Sequence, residues 1–369
     1  MHAQGLRGIA AGVLVGVALP AAAVDFAQVN LVTDDQSAHA AQITDPALKN
    51  AWGVSFGPTS PFWVSAADGG VSTLYSVNPA TQATTKLGLT VAVSGNPTGQ
   101  VFNGSAGAFN GDRFLFVGED GTVSGWRNTL GTTAEVLASP APANSYKGAA
   151  IGSLSGNSYL YASNFKAGAI DVFKGTAAAP TLTGSFIDPA LPAGYAPFNV
   201  RNLGDTLYVT YALRNAAGDE EVAGAGLGLV DAFSLNGDFL GRIASNGTLD
   251  APWGLAIAPS SFGAWAGALL VGNFGDGRIN AFDPTTHSFL GQVSSASGDP
   301  LTIDGLWALT PGNDAAAGSS SMLYFSAGPD DESHGLFGVL VAVPEPSTYA
   351  LMLLGLGVVG ALGSRRRRV

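Results

Sequence analysis

A unit of about 50 residues recurs six times along this chain. Aromatic or apolar segments open near residues 52, 101, 149, 199, 254 and 306, as in Asn50-Ala51-Trp52-Gly53-Val54 and again in Ala251-Pro252-Trp253-Gly254-Leu255. A second run follows in each unit, for example Phe62-Trp63-Val64-Ser65, Tyr159-Leu160-Tyr161-Ala162 and Ala268-Leu269-Leu270-Val271. After a Gly-rich turn comes a third run that tends to end in an aromatic, such as Ile170-Asp171-Val172-Phe173 and Ile279-Asn280-Ala281-Phe282. A unit this short cannot cover its own apolar faces, so copies must pack on one another, and this period suits the four-stranded blades of a propeller. Turn pairs such as Asp68-Gly69, Asp120-Gly121, Asn236-Gly237 and Asp276-Gly277 mark hairpins, and no 3.6-residue period persists long enough to compete. The expectation is an all-β, six-bladed propeller of four-stranded antiparallel blades over residues 24–343. A pair of β-sandwiches accommodates the short strands but not the even spacing. Closing the ring requires joined ends, and Phe26–Val32 can supply the outermost strand of the last blade beside Gly338–Val341, removing two exposed edges.

Charge and composition exclude several functions. Lys and Arg number 16 against 27 Asp and Glu, a formal charge of -11, and the 26 acidic and 11 basic residues between positions 24 and 343 give that body -15. A nucleic-acid binder needs the opposite sign. The absence of cysteine removes disulfides, thiolate metal sites, iron–sulfur clusters and cysteine nucleophiles.

Both ends read as targeting segments. Residues 1–23 combine Arg7, an uncharged stretch from Ile9 to Leu19 and a Pro20-Ala21-Ala22-Ala23 exit, the pattern of a secretory signal peptide. Residues 344–369 begin with Pro344-Glu345-Pro346 and continue through uncharged Tyr349–Leu362 to Arg365, Arg366, Arg367 and Arg368. An apolar transmembrane helix backed by arginines acts as a stop-transfer anchor. Gly355-Leu356-Gly357-Val358-Val359-Gly360 matches a dinucleotide fingerprint in letters only, since no strand–turn–helix unit surrounds it.

The order of triplet, short Gly/Leu-rich helix and terminal arginines resembles the PEP-CTERM sorting signal of Gram-negative bacteria. The resemblance covers the last 27 residues or so. It implies processing by exosortase near Pro344, Glu345 and Pro346, with delivery through an inner-membrane-anchored intermediate to the cell surface or outside, and association with exopolysaccharide-producing cells. The body is similar to NHL-type or gluconolactonase-like propellers, without a WD dipeptide or full kelch motif.

Loops between second and third strands usually surround the propeller's functional mouth. Here they open with Asp68, Glu119 and Asp120, Asn164, Tyr211, Asn273 and Asp330. Such a ring of oxygen donors suits Ca²⁺. Asp and Asn beside Gly are equally what a hairpin turn requires, so the two readings stand side by side. The acidic runs Asp219-Glu220-Glu221 and Asp330-Asp331-Glu332 read as solvated loops or, more sharply, as further Ca²⁺ donors. His39, His287 and His334 are dispersed along the chain, and no G-x-S-x-G elbow is present. Most tryptophans fall where blades wedge together, whereas Trp265 sits in an insertion-like loop and is a candidate ligand contact. Two functions follow: a non-catalytic binding protein associated with extracellular polysaccharide, or a Ca²⁺-dependent lactonase-like hydrolase acting at the channel mouth.

Overall fold

A computed structural model of the protein describes residues 24–343; the expected signal peptide and the Pro344–Val369 sorting segment lie outside the described residues. Six sheets are present in it, antiparallel throughout except where a short Ile43–Thr44 strand pairs in parallel with the outer edge of the last. The first blade contains Ala51–Ser55, Phe62–Ala66, Val71–Val77 and Thr84–Ala92. The second contains Pro97–Phe102, Phe114–Gly118, Val123–Trp126 and Glu135–Ala138. The third has Tyr146–Leu154, Asn157–Asn164 and Ala169–Lys174. The fourth has Tyr195–Leu203, Thr206–Arg214, Leu229–Ser234 and Phe239–Ser245, with a short Glu221–Val222 strand beside its second strand. The fifth has Pro252–Ile257, Leu269–Asn273, Ile279–Phe282 and Phe289–Gln292. The sixth joins Leu306–Pro311, Leu323–Ala327 and Leu336–Val343 to the N-terminal strand Asp25–Thr33, which closes the ring with Val29 opposite Val339. This is the closure the sequence predicts.

One blade falls short of the four-strand expectation. After Lys174 the chain carries Pro180, Pro189 and Pro192, each lacking the N–H a ladder needs, and no fourth strand forms. The segment leans on the next blade instead: the N–H groups of Gly184 and Phe186 donate to the carbonyls of Asn236 and Gly237, each at 3.0 Å.

Packing explains why the second strands read as unbroken apolar runs. Each blade is covered on both faces, so every residue of Phe62–Ala66, Phe114–Gly118, Leu269–Asn273 and Leu323–Ala327 is buried. Six apolar clusters result, one for each blade interface. Trp63, Phe114 and Trp126 fill the wedge between the first two blades, with the Trp63 and Phe114 rings stacked at 4.0 Å.

All six inner strands carry an irregularity at the same place. Ladder register shifts between Ala51 and Val54, Pro97 and Gln100, Tyr146 and Gly148, Pro197 and Asn199, Pro252 and Gly254, and Leu306 and Leu309. A bulge inserts an extra residue and re-aims its side chain. The residues so placed are Trp52, Thr98, Lys147, Phe198, Trp253 and Trp307. In four blades the next residue is Gly53, Gly99, Gly148 or Gly254, because a Cβ there would strike the neighbouring inner strand; at Gly254 it would lie 2.8 Å from the Trp307 carbonyl oxygen.

Candidate functional site

The aromatic bulged residues meet on the channel axis. Trp52 stacks on Trp307 at 3.7 Å between ring centroids, Trp253 meets both edge-on at 6.1 and 5.8 Å, and Phe198 and Phe274 complete the group against Trp307 at 5.8 and 4.1 Å. The Trp253 indole reaches from the fifth blade to donate to the Lys147 carbonyl of the third at 3.0 Å. These rings form an aromatic plug. It divides the channel into an upper part, at the starts of the inner strands, and a lower part at their ends.

Above the plug lies an acidic cup built around one buried cation. The Lys147 side chain is 2% exposed, and its Nζ donates to Glu119 Oε1 at 2.6 Å and Glu220 Oε2 at 3.0 Å while standing 5.2 Å from the centre of the Trp52 ring. Desolvation opposes its charge, but Glu119, Glu221 and Glu220 outweigh that and hold its pKa above the ordinary lysine value. Lys147 is therefore a locked ammonium and not a nucleophilic amine. Beside it, Asn50 donates from Nδ2 to Glu332 Oε2 at 2.5 Å and accepts at Oδ1 from the indoles of Trp52 (2.7 Å) and Trp307 (3.2 Å).

Three further carboxyls in the cup resist ionisation. Burial pushes Glu221 up to about 7, with Lys147 opposing the shift and Glu220 and Glu332 adding to it. Its Oε2 is buried without a hydrogen-bond partner. Burial also raises Glu332 and Asp68, the latter helped by the charge of Glu119. The cup holds Asp68, Glu119, Glu220, Glu221 and Glu332 against a single lysine. Extra positive charge brought there relieves mutual repulsion.

The site residues expected from sequence are distributed as follows. Asp68 and Glu119 belong to the cup. Asp120 accepts from the Thr122 N–H at 2.8 Å within its own turn. Asn164 accepts from the Ser145 and Ala167 N–H groups and donates to Asn144 and Asp171. Asn273 donates to the Thr248 carbonyl and to Asp276, and its Oδ1 is buried without a partner. Asp330 pairs with His39 at 2.9 Å. Among the described residues no group of three or more histidines and carboxylates is arranged to hold a metal ion. The Tyr211 ring packs between the third and fourth blades. Trp265 lies in the loop after the first strand of the fifth blade, at the opposite end of the strands from the cup, and its ring covers Gly291.

Sequence reasoning missed Lys147 and gave Glu220, Glu221 and Glu332 as one option among solvated loops. The signal for Lys147 was present: Trp52-Gly53, Thr98-Gly99, Lys147-Gly148 and Trp253-Gly254 share one register, and a lysine standing where other blades carry aromatics marks the odd position. Two dispersed histidines also converge, with His39 and His334 ring centres 5.8 Å apart and His334 Nδ1 3.1 Å from buried Asp34.

The fold and its tail define an exported-type six-bladed β-propeller with a sorting signal: residues 342–368 match the PEP-CTERM protein-sorting motif, which implies processing by exosortase and a surface or extracellular destination. The chain is 31% identical over 338 residues to the uncharacterised protein R648 of Acanthamoeba polyphaga mimivirus, covering 86% of this chain and 81% of that one, and it belongs to the same family. A second mimivirus protein, the uncharacterised L690, is 38% identical over 194 residues, covering 50% of this chain and 49% of its own. Among solved structures, an α-L-arabinofuranosidase from Fusarium graminearum superposes with a TM-score of 0.55 at 11% identity over 86% of this chain and 98% of that one, a likeness of fold. The periplasmic gluconolactonase of Pseudomonas aeruginosa gives 0.44 at 17% identity over 79% and 88%.

Proposed function

We propose that the protein is a non-catalytic binding propeller of the cell surface or extracellular matrix, and that its acidic cup takes positively charged groups of an extracellular ligand, such as the amines of an amino-sugar polysaccharide. The observation that carries this reading is the grouping of five carboxylates around one locked lysine on an aromatic floor. Carboxyls that cannot all ionise comfortably gain most from an incoming cation. Titrating the full-length protein in detergent with spermidine and with deacetylated glucosamine oligomers, followed by calorimetry, tests it. Saturable uptake is expected, weakened about tenfold or more by Glu221→Gln and by Glu332→Gln, neither of which bonds directly to Lys147. No saturable uptake, or uptake unchanged in both variants, overturns it.

A second reading, a Ca²⁺-dependent lactonase-like hydrolase, is favoured by Glu221: a carboxylic acid that titrates near neutrality beside ionised carboxylates has the properties of a general acid–base. It predicts that millimolar Ca²⁺ raises the melting temperature and that Asp68→Asn abolishes the rise; a flat melting temperature removes it.

A further inference from the structure

Below the aromatic plug the channel opens into a second chamber of about 260 Å³, with a chemistry opposite to that of the cup. Its wall is largely apolar, formed in part by Val54, Val101, Ala150 and Ile151. One charged side chain enters it, Arg201 of the fourth inner strand. Arg201 reaches across the channel, where an Nη2 hydrogen donates to Thr310 Oγ1 of the sixth blade at 3.2 Å. Among the described residues no carboxylate lies within ion-pair distance of it, although 26 acidic residues are available between positions 24 and 343. It keeps intermediate exposure because it faces the chamber, yet its depth between blades is enough for desolvation alone to bring its pKa down to about 10.

An unpaired guanidinium in such a place is costly, and a chain this acidic has every means to pair it. The other polar groups of the chamber are mostly committed. Gln100 donates to the Gly53 and Trp63 carbonyls and accepts from Ser72, and Asn202 donates to the Ile151 carbonyl. Ser55 is the exception, 8% exposed and with a hydroxyl that has no partner. A guanidinium carries five N–H donors in a planar fork matched to two oxygens of one anion, and Thr310 engages only one of them.

We infer that the lower chamber is a binding site for one small oxyanion, a carboxylate, phosphate or sulfate, with Arg201 as its counter-charge and Ser55 as an additional donor. The channel then carries two sites of opposite sign separated by the Trp52–Trp253–Trp307 plug. This site is independent of the cup and of the proposal made for it.

The test uses the full-length protein in detergent, titrated calorimetrically and melted in sodium acetate, sodium phosphate and sodium sulfate, with sodium chloride at matched ionic strength as reference. Saturable binding of at least one oxyanion is expected, with a melting temperature above that in chloride; which of the three acts separates a carboxylate site from a phosphate or sulfate site. Arg201→Met should abolish the oxyanion response while melting no lower than wild type in chloride, because it removes an uncompensated charge. Arg201→Lys, which keeps the charge and loses the fork, should bind about tenfold more weakly, and Ser55→Ala about two- to fivefold. Equal responses to chloride and oxyanions, or an oxyanion response that survives in both Arg201 variants, overturns the assignment.

Discussion

Glu221 shows how one residue reports on the cup. Its carboxyl is raised from the usual 4.5 to about 7 because burial disfavours the anion, so the folded protein holds a proton between those values that the unfolded chain has released. The contribution of Glu221 to folding stability must then be fullest below about pH 4.5 and be lost as pH rises through 7. Asp112 and Asp231, both raised to about 6 chiefly by burial, add to the same decline. A Glu221→Gln variant cannot ionise there, so its stability relative to wild type should grow between pH 5 and 7.5, by about 1–3 kcal/mol, in urea melts at stepped pH. A difference that stays flat across that window would place Glu221 in contact with bulk water. Arg201 is the counterpart below the plug, a group disfavoured as a cation by the same desolvation.

The inner strands, at the scale of single elements, make both sites. Their shared bulge turns Trp52, Lys147, Trp253 and Trp307 toward the axis, and the glycine after it lets adjacent inner strands approach closely enough to hold them. Side chains of the preceding blade then secure carbonyls at the bulge: Thr98 Oγ1 donates to the Tyr146 carbonyl at 2.7 Å, and Asn199 Nδ2 to that of Trp253 at 2.7 Å. Replacing Gly99 with Ala should force apart the second and third inner strands, since a Cβ there meets the backbone of Gly148 and Ala149, and should cost about 2–4 kcal/mol in denaturant melts. Gly88, which has open space around it, should tolerate Ala with a change below about 0.5 kcal/mol. An equal cost at both positions would refute the close-approach argument. These elements also show what the sequence made legible. Strand order, blade count and ring closure followed from a period of about 50 and from apolar runs that tertiary packing buries on both faces. The missing strand of the third blade was signalled by its prolines but masked by the regularity of its neighbours. The cup was only half legible, because turn residues such as Asp120 and Asn164 share their composition with ligands, whereas Lys147 is the second residue of a strand and reaches the mouth only through a one-residue register shift.

Strand direction across the whole molecule orients the two sites relative to the chain's ends. The third strand of the sixth blade begins after Glu332, beside the cup, and runs down to Val343, where it pairs with Asp25 at the start of the closing strand. The chain therefore enters and leaves the propeller at adjoining points on the lower face, with the cup directed the opposite way. The Pro344-Glu345-Pro346 triplet follows Val343 directly in the sequence. Glu345→Ala should block that processing, so cells expressing it should accumulate the longer, unprocessed form in the inner-membrane fraction, read by immunoblot of fractionated cells. Because the cup faces away from this junction, the retained variant should take up the cationic ligand with the same affinity as wild type. Normal release of Glu345→Ala would show that the triplet is not what the processing enzyme reads. Retention accompanied by lost ligand uptake would show that the tail and the cup share a face, contrary to the strand directions.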